Sequence, residues 1–375
     1  MSEPLVSIKM ITYNHGPYIA QAIEGVLQQR TTFPIELVIG EDCSTDGTRE
    51  IVRAYEKQHP GIIRVITSDR NVGVQKNGYR TVKACTGKYL AFCEGDDYWH
   101  HPDKLQKQVD YLESHPECGL VYSSYDVHHV GSQKRTRDLI NQLIRKHNWQ
   151  RPDNPSVVDF LGGRPRLGFG ILTCTVMVRR QLCEEIIDSD PYLYQNNRFF
   201  RGDTQLWAET AQRAAVHYLP ESLATYRQTD ESATHSKDIT KLVRLQISDA
   251  ELGLYLCDKY HLPAATRSEL EARRYNGLLR MAFYQRNAEL ADEVRGKKTA
   301  LTRKEWFLYF GARSNFLHRT VLFLAALRNM AWTIRDRWQK SLRCESCGAR
   351  EGGAGTADIK LPSQTCNRGA SGVQL

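Results

Sequence analysis

The chain has 375 residues, 51 Lys+Arg against 43 Asp+Glu, and a formal charge of +8. Its hydrophobic share of 41% and charged share of 25% are ordinary for a globular chain and exclude a low-complexity polymer. No window reaches the roughly 18 uninterrupted apolar residues of a membrane-spanning helix, and Met1-Ser2-Glu3-Pro4 lacks the basic start of a secretory leader.

In chain order, the first half alternates strand and helix signals. Leu5 to Ile11 reads as a strand and Pro17 to Gln28 as a helix with proline near its start. Ile35 to Gly40 is a second strand. Ser44, Thr45 and Asp46 then offer N-caps for a helix over Thr48 to Gln58. A strand over Ile62 to Thr67, a helix over Gln75 to Cys85 closed by Gly87, and a strand over Tyr89 to Cys93 follow. Pro102 to Ser114 is a helix and Gly119 to Ser123 a strand. This rhythm predicts an α/β fold with a Rossmann-like, mostly parallel sheet.

Residues 126–168 are polar and rich in Arg, Asn and Pro, and read as an excursion with one helix over Asp138 to His147. Ile171 to Val178 is a buried strand region, Asp203 to Ala214 a helix, and Ala215 to Leu219 and Ser222 to Tyr226 are short strands. From about residue 237 to 343 the pattern is helical. The expected organisation is a catalytic domain over 1–236, a helical basic region over 237–343 and a disordered Gly/Ser-rich tail over 344–375. Ten cysteines lie scattered as singletons, which favours reduced thiols and a cytoplasmic setting. The one close pair, Cys344 and Cys347, lacks a second ligand pair.

Ligands of such sheets bind at the carboxyl ends of the strands. The polar clusters fall there: Thr12 to Asn14, Glu41 to Asp46, and Glu94 to Asp97. Three carboxylates in four residues after the buried run Tyr89 to Cys93 repel one another and resist desolvation, and a bound divalent cation would relieve both. A solvated acidic turn accounts for the same pattern. Tyr13 and Asp42 at adjacent strand ends could stack on a nucleotide base and accept its N–H. Asp46 is also placed to cap the following helix, and Asp203 to cap the helix from Thr204.

Four segments together resemble the inverting family 2 glycosyltransferases of GT-A fold. They are Val6 to Asn14, Glu36 to Thr48, Asn71-Val72-Gly73 through Asn77 to Asp97, and Gly202-Asp203-Thr204-Gln205-Leu206-Trp207. The resemblance covers about residues 5–230. It implies that Thr12, Tyr13, Asp42, Asn77 and Asp96 hold a nucleotide-sugar, that the donor is a UDP-sugar with dTDP- or GDP-sugars as alternatives, and that Asp203 is the catalytic base. It implies further that Asp96 and Asp97 serve Mn2+ or Mg2+ on the diphosphate, with Glu94 and His235 as additional candidates. Glu94 stands where the family commonly has Asp, which lengthens the arm. The acceptor implied is a hydroxyl of a surface glycan or a lipid-linked glycan.

The basic excess lies in residues 295–343, which carry 12 Lys+Arg against 2 Asp+Glu. Within 317–343, Leu317, Val321, Leu324, Leu327, Ala331, Ile334 and Trp338 form an apolar stripe flanked by arginines. Such a helix could lie on an anionic membrane surface, making the protein peripheral, or pack on the catalytic domain. No aromatic-basic motif supports nucleic-acid binding. Two rivals remain: a nucleotidyltransferase, although Thr12-Tyr13-Asn14-His15-Gly16 lacks a basic Gly-rich loop, and a non-catalytic partner of a glycan-assembly complex.

Overall fold

A computed structural model of the chain describes residues 3–148, 154–161, 171–190, 192, 198–229, 238–320 and 323. Residues 1–313 form one compact unit. A second unit begins at Ser314, and most of it lies outside the described residues, as do most of the 317–343 stripe and the 344–375 tail.

The first four βα steps, apart from the unexpected two-residue β5, follow the sequence reading to within two residues. They comprise β1 (Val6–Thr12), α1 (Ile19–Leu27), β2 (Ile35–Glu41), α2 (Thr48–Gln58), β3 (Ile63–Ile66), α3 (Val74–Ala84), β4 (Tyr89–Phe92), β5 (Tyr98–Trp99) and α4 (Lys104–Ser114). β2–β1–β4 pair in parallel, and β3 joins β2 in parallel. Ile8, Leu37 and Ile39 face α1 and α4, whereas Val38, Leu90 and Phe92 face the other helical layer, so the strands are covered on both faces.

The second half continues the sheet with β6 (Cys118–His129), β7 (Lys134–Thr136), α5 (Leu139–His147), α6 (Val157–Leu161), β8 (Met177–Arg179), α7 (Arg180–Ser189), α8 (Gly202–Arg213) and β9 (Ala215–Gln228). The strand order is β3-β2-β1-β4-β8-β6-β9-β5, with β7 on β6. β8 inserts antiparallel between β4 and β6, whereas β6 and β9 run parallel. The expected α/β sheet is therefore present, with a mixed second half.

Five local readings need correction. The 126–168 excursion holds β7 and a second helix, α6, besides the one helix expected. The strand expected to stop at Ser123 runs to His129, because Asp126 and its neighbours pair with β9 along their backbone regardless of side-chain polarity. The two short strands over 215–226 are one strand, whose pairing shifts register between Cys118 and Leu120 and again between Ser123 and Tyr125 of its partner. Ile171 to Val178 is not one strand: a short 3-10 segment at Thr173–Thr175 interrupts it, and only Met177 and Val178 belong to β8. A helix not expected, α7, buries Cys183, Ile186 and Ile187 on one face.

From residue 239 the chain is helical as expected: α9 (Ile239–Tyr260), α10 (Ala264–Gln285), α11 (Ala288–Lys297) and α12 (Arg303–Arg313). α9 docks on the α/β body. Leu252 and Leu256 pack with Phe199, Ala208 and Val157. Lys259 bridges Asp190 and Glu209 at 2.7 and 2.6 Å.

Candidate active site

The carboxyl ends of β1, β2 and β4 meet in a cleft of about 1180 Å3. Thr12, Tyr13, Asp42, Asn77, Glu94 and Asp96 all line it, so six of the residues singled out from the sequence converge on one cavity.

The β1 and β2 loops are tied together locally. Asn14 takes a left-handed conformation, which Asn tolerates, and its N–H donates to Ser44 Oγ at 3.0 Å. Its Oδ1 accepts from the Thr45 N–H at 2.9 Å. Asp46 accepts from the Gly16 N–H at 2.8 Å and from Thr48 N–H and Oγ1 at 3.1 and 2.6 Å. It both opens α2 and pins the turn after β1, and these hydrogen bonds hold its carboxyl below the usual range although burial opposes them.

These ties leave Tyr13 projecting, 43% exposed at the cleft. Asp42 is buried beneath. Its Oδ1 accepts from Val72 N–H at 2.9 Å and Ser68 Oγ at 3.2 Å, and its Oδ2 from Gly73 N–H at 2.9 Å. Gly73 has φ +86°, a conformation that suits glycine. Oδ1 of Asp42 thus has both lone pairs engaged, and Oδ2 retains accepting capacity. Asn77 is more fully engaged. Its Nδ2 donates to Gly40 O at 2.8 Å and its Oδ1 accepts from Arg80 Nε at 2.8 Å, which braces α3 on β2.

The acidic turn sits close to β1. A Cβ on Gly95 would fall within 3 Å of Thr12 Oγ1 and His15 Nδ1. Both atoms are buried and without a hydrogen-bond partner, as is Glu94 Oε2. Burial pushes the Glu94 carboxyl up to about 7; the Lys9 ammonium opposes that rise, and Asp96 and Asp203 add to it. Asp97 turns inward. It is buried, and its Oδ1 accepts from the Arg227 N–H at 2.9 Å. Burial, then the charges of Asp96 and Glu94, hold its carboxyl well above the usual carboxylate range. Asp97 thus belongs to the cluster without lining the cleft.

Asp203 lies inside the first turn of α8, which starts at Gly202 with Arg201 as its N-cap, so it does not cap a helix from Thr204 as expected. It stands beside this cluster, close enough for its charge to act on Glu94. Its Oδ2 accepts from Thr173 Oγ1 at 2.9 Å and its Oδ1 from the Thr204 N–H at 2.7 Å. His235 lies outside the described residues.

Sequence reasoning missed several features. His15 and Tyr18 line the cleft from the turn after β1, and Val130, Gly131 and Thr229 close the opposite wall. Arg227 is 3% exposed between the Tyr18 and Tyr98 rings, at 5.2 and 4.5 Å, and donates to Asp96 O at 2.7 Å. The turn Asn14-His15-Gly16-Pro17-Tyr18 could have signalled the first pair. Nothing in the spacing of Val130, Gly131 or Arg227 marks them.

The cleft walls carry Asp42, Asp46, Glu94 and Asp96, and neither Lys nor Arg is among the described lining residues. Among the described residues no three His, Cys, Asp or Glu side chains converge as a preformed metal site. The donor set at the cleft nonetheless fits a hard cation: the Asp96 carboxylate on the wall and the buried, unpartnered Glu94 Oε2 beside it are both oxygen ligands. Mg2+-like ions are commonly held by one or two carboxylates plus substrate phosphates.

The model of the family described as glycosyl transferase family 2 matches residues 7–185. The putative teichuronic acid biosynthesis glycosyltransferase TuaG of Bacillus subtilis is 34% identical over 237 residues, 63% of this chain and 83% of TuaG. An uncharacterized protein of Mycobacterium tuberculosis is 35% identical over 231 residues, and the match spans 61% of that protein's length. The S. aureus TarS 1-349 structure with UDP-GlcNAc superposes with a TM-score of 0.51 at 16% identity, covering 82% of this chain and 79% of that one. The fold is GT-A, and the chain belongs to glycosyl transferase family 2.

Proposed function

We propose that the protein transfers a sugar from a nucleotide-sugar to an acceptor hydroxyl, with inversion at the anomeric carbon. The observation that carries this reading is the convergence of Tyr13, Asp42 and Asp96 on one cleft with Asp203 beside the acidic turn. Tyr13 offers an exposed ring to the base, and Asp42 Oδ2 offers its remaining lone pair to a base N–H. Thr12 Oγ1, buried and unpartnered, faces the same region. Asn77 acts chiefly by bracing the β2 end. Asp96 serves the ribose and the diphosphate.

An acidic cleft repels a diphosphate unless a cation intervenes. Asp96 would hold Mn2+ or Mg2+ from the cleft wall with Glu94 alongside, Asp97 would join by turning its other oxygen from its inward position, and His235 is a further candidate. When bound, such a cation supplies Lewis-acid stabilisation of the departing nucleoside diphosphate. Arg227 orders the turn by donating to Asp96 O and Asp97 Oδ1. Asp203 takes the proton of the acceptor hydroxyl as that oxygen attacks from the face opposite the leaving group. Thr173 and the Thr204 N–H orient its two oxygens.

The donor we favour is a UDP-sugar. The acceptor we favour is a surface or lipid-linked glycan; the relative TuaG is named for teichuronic acid biosynthesis. A cytoplasmic enzyme held at the inner membrane face by the basic segment 317–343 would reach such an acceptor. A panel of nucleotide-sugars, tested for thermal stabilisation and hydrolysis with and without Mn2+, checks the reading. Metal-dependent stabilisation by at least one donor is expected. No response to any donor would return the protein to the rival reading of a non-catalytic partner.

A further inference from the structure

The segment that delivers Asp203 to the site is held from outside the sheet, by α9. The Phe199 ring is 1% exposed and packs against Leu252 and Leu256 of α9. One residue on, the Phe200 N–H donates to Ser248 Oγ at 3.0 Å. One further on, Arg201 Nε stands 3.4 Å from Asp249 Oδ1. These two atoms are sealed from solvent and have no hydrogen bond elsewhere, so the ion pair compensates them, although the two side chains are 38% and 36% exposed and water screens their outer ends. Three successive residues are thus anchored on one helix face, and Asp203 follows two residues later at the start of α8.

The Asp249 carboxylate also senses the base. Burial raises it to about 6, Arg201 opposes that rise and the Asp203 charge adds to it. The charged groups that act on Asp203's surroundings are therefore Lys9 of β1, Glu94 of the acidic turn and Asp249 of α9. Arg201 is shared between the base segment and α9, so a shift of α9 is transmitted to the carboxylate that must meet the acceptor oxygen. A misplacement of about 1 Å at such a group can cost on the order of 100-fold in rate.

We propose that Ser248 and Asp249 of α9 are positioning residues for Asp203, acting through the Phe199–Arg201 segment. The inference rests on the reading of Asp203 as the base. It gives the C-terminal helical region a part in turnover beyond support of the fold.

The test uses the full chain with Mn2+ and whichever of UDP-glucose, UDP-galactose and UDP-N-acetylglucosamine it hydrolyses fastest, water standing in for the acceptor. Asp249→Asn keeps the side chain's shape but breaks the ion pair. It should lower kcat on the order of tenfold while donor Kd stays within about twofold. Asp249→Glu and the charge exchange Arg201→Asp with Asp249→Arg should recover most of that loss. Asp203→Asn runs in parallel. If Asp203→Asn is inactive while Asp249→Asn turns over at the wild-type rate, the positioning role is overturned. It is overturned equally if Asp249→Asn lowers donor affinity and melting temperature together with kcat, without rescue by the exchange. A fully active Asp203→Asn would overturn the base assignment, and this inference with it.

Discussion

Lys104 lies on α4 without solvent exposure, its Nζ 2.7 Å from Gln108 Oε1 and 4.2 Å from the centre of the Trp99 ring. Burial pulls its ammonium down to about 7, which nearby Cys93 and Cys174 only partly oppose. The unfolded chain keeps this lysine protonated to about 10.4, so above pH 7 the unfolded state binds more protons than the folded one. Stability should therefore rise with pH across that window, by up to about 1.4 kcal/mol per pH unit from this group. Lys104→Met should flatten the wild-type slope between pH 7 and 10 in urea titrations; identical slopes would show that the lysine is not desolvated as described. Asp97 carries a different prediction. Its buried carboxyl is raised by burial and by its acidic neighbours, so Asp97→Ala should preserve the fold. Calorimetric nucleotide affinity should then become the same with and without Mn2+. A wild-type response to metal would remove Asp97 from the cation's ligands.

At the scale of elements, α1 is set against β5 through Gly25. A Cβ there would come within 2.7 Å of Trp99 O and 3.1 Å of its N. Helix propensity favours Ala over Gly by about 1 kcal/mol, but a backbone clash cannot be relieved by a rotamer change. Gly25→Ala should lower the melting temperature, and a stabilised variant would contradict this packing. Apart from β5, the β-α-β steps from β1 to α4 were legible in the sequence because strands buried on both faces read as apolar runs between helical segments, although the expected side-chain cap of α2 is replaced by Gly47. The same legibility extended to Tyr13, Asp42 and the 94–97 turn, since strand ends of a parallel sheet are where ligands meet it. It failed where backbone pairing overrides side-chain polarity, as in β6 beyond Ser123. It failed again at α7, whose buried Cys183, Ile186 and Ile187 have helical spacing but lie among charged residues. The inward turn of Asp97 was also not legible, because it depends on the Arg227 N–H some 130 positions away.

At the scale of the whole molecule, residues 1–313 form a compact unit to which α9–α12 belong, and no described helix is long and apolar enough to cross a membrane. On the proposed reading, a chain ending at Arg313 should still hydrolyse its donor but lose binding to anionic vesicles at low salt. Each basic residue near such a surface contributes about 1 kcal/mol. If the intact protein ignores those vesicles, the membrane role of 317–343 falls. The central claim is that the acidic cleft and Asp203 together carry out sugar transfer. It is tested most directly by comparing the wild type with Asp203→Asn, measuring donor affinity by calorimetry and turnover of the same nucleotide-sugar with Mn2+. The account predicts unchanged donor binding and turnover lowered by a factor on the order of 100 or more. A folded Asp203→Asn protein with wild-type turnover would contradict it and leave the residue only its place at the start of α8.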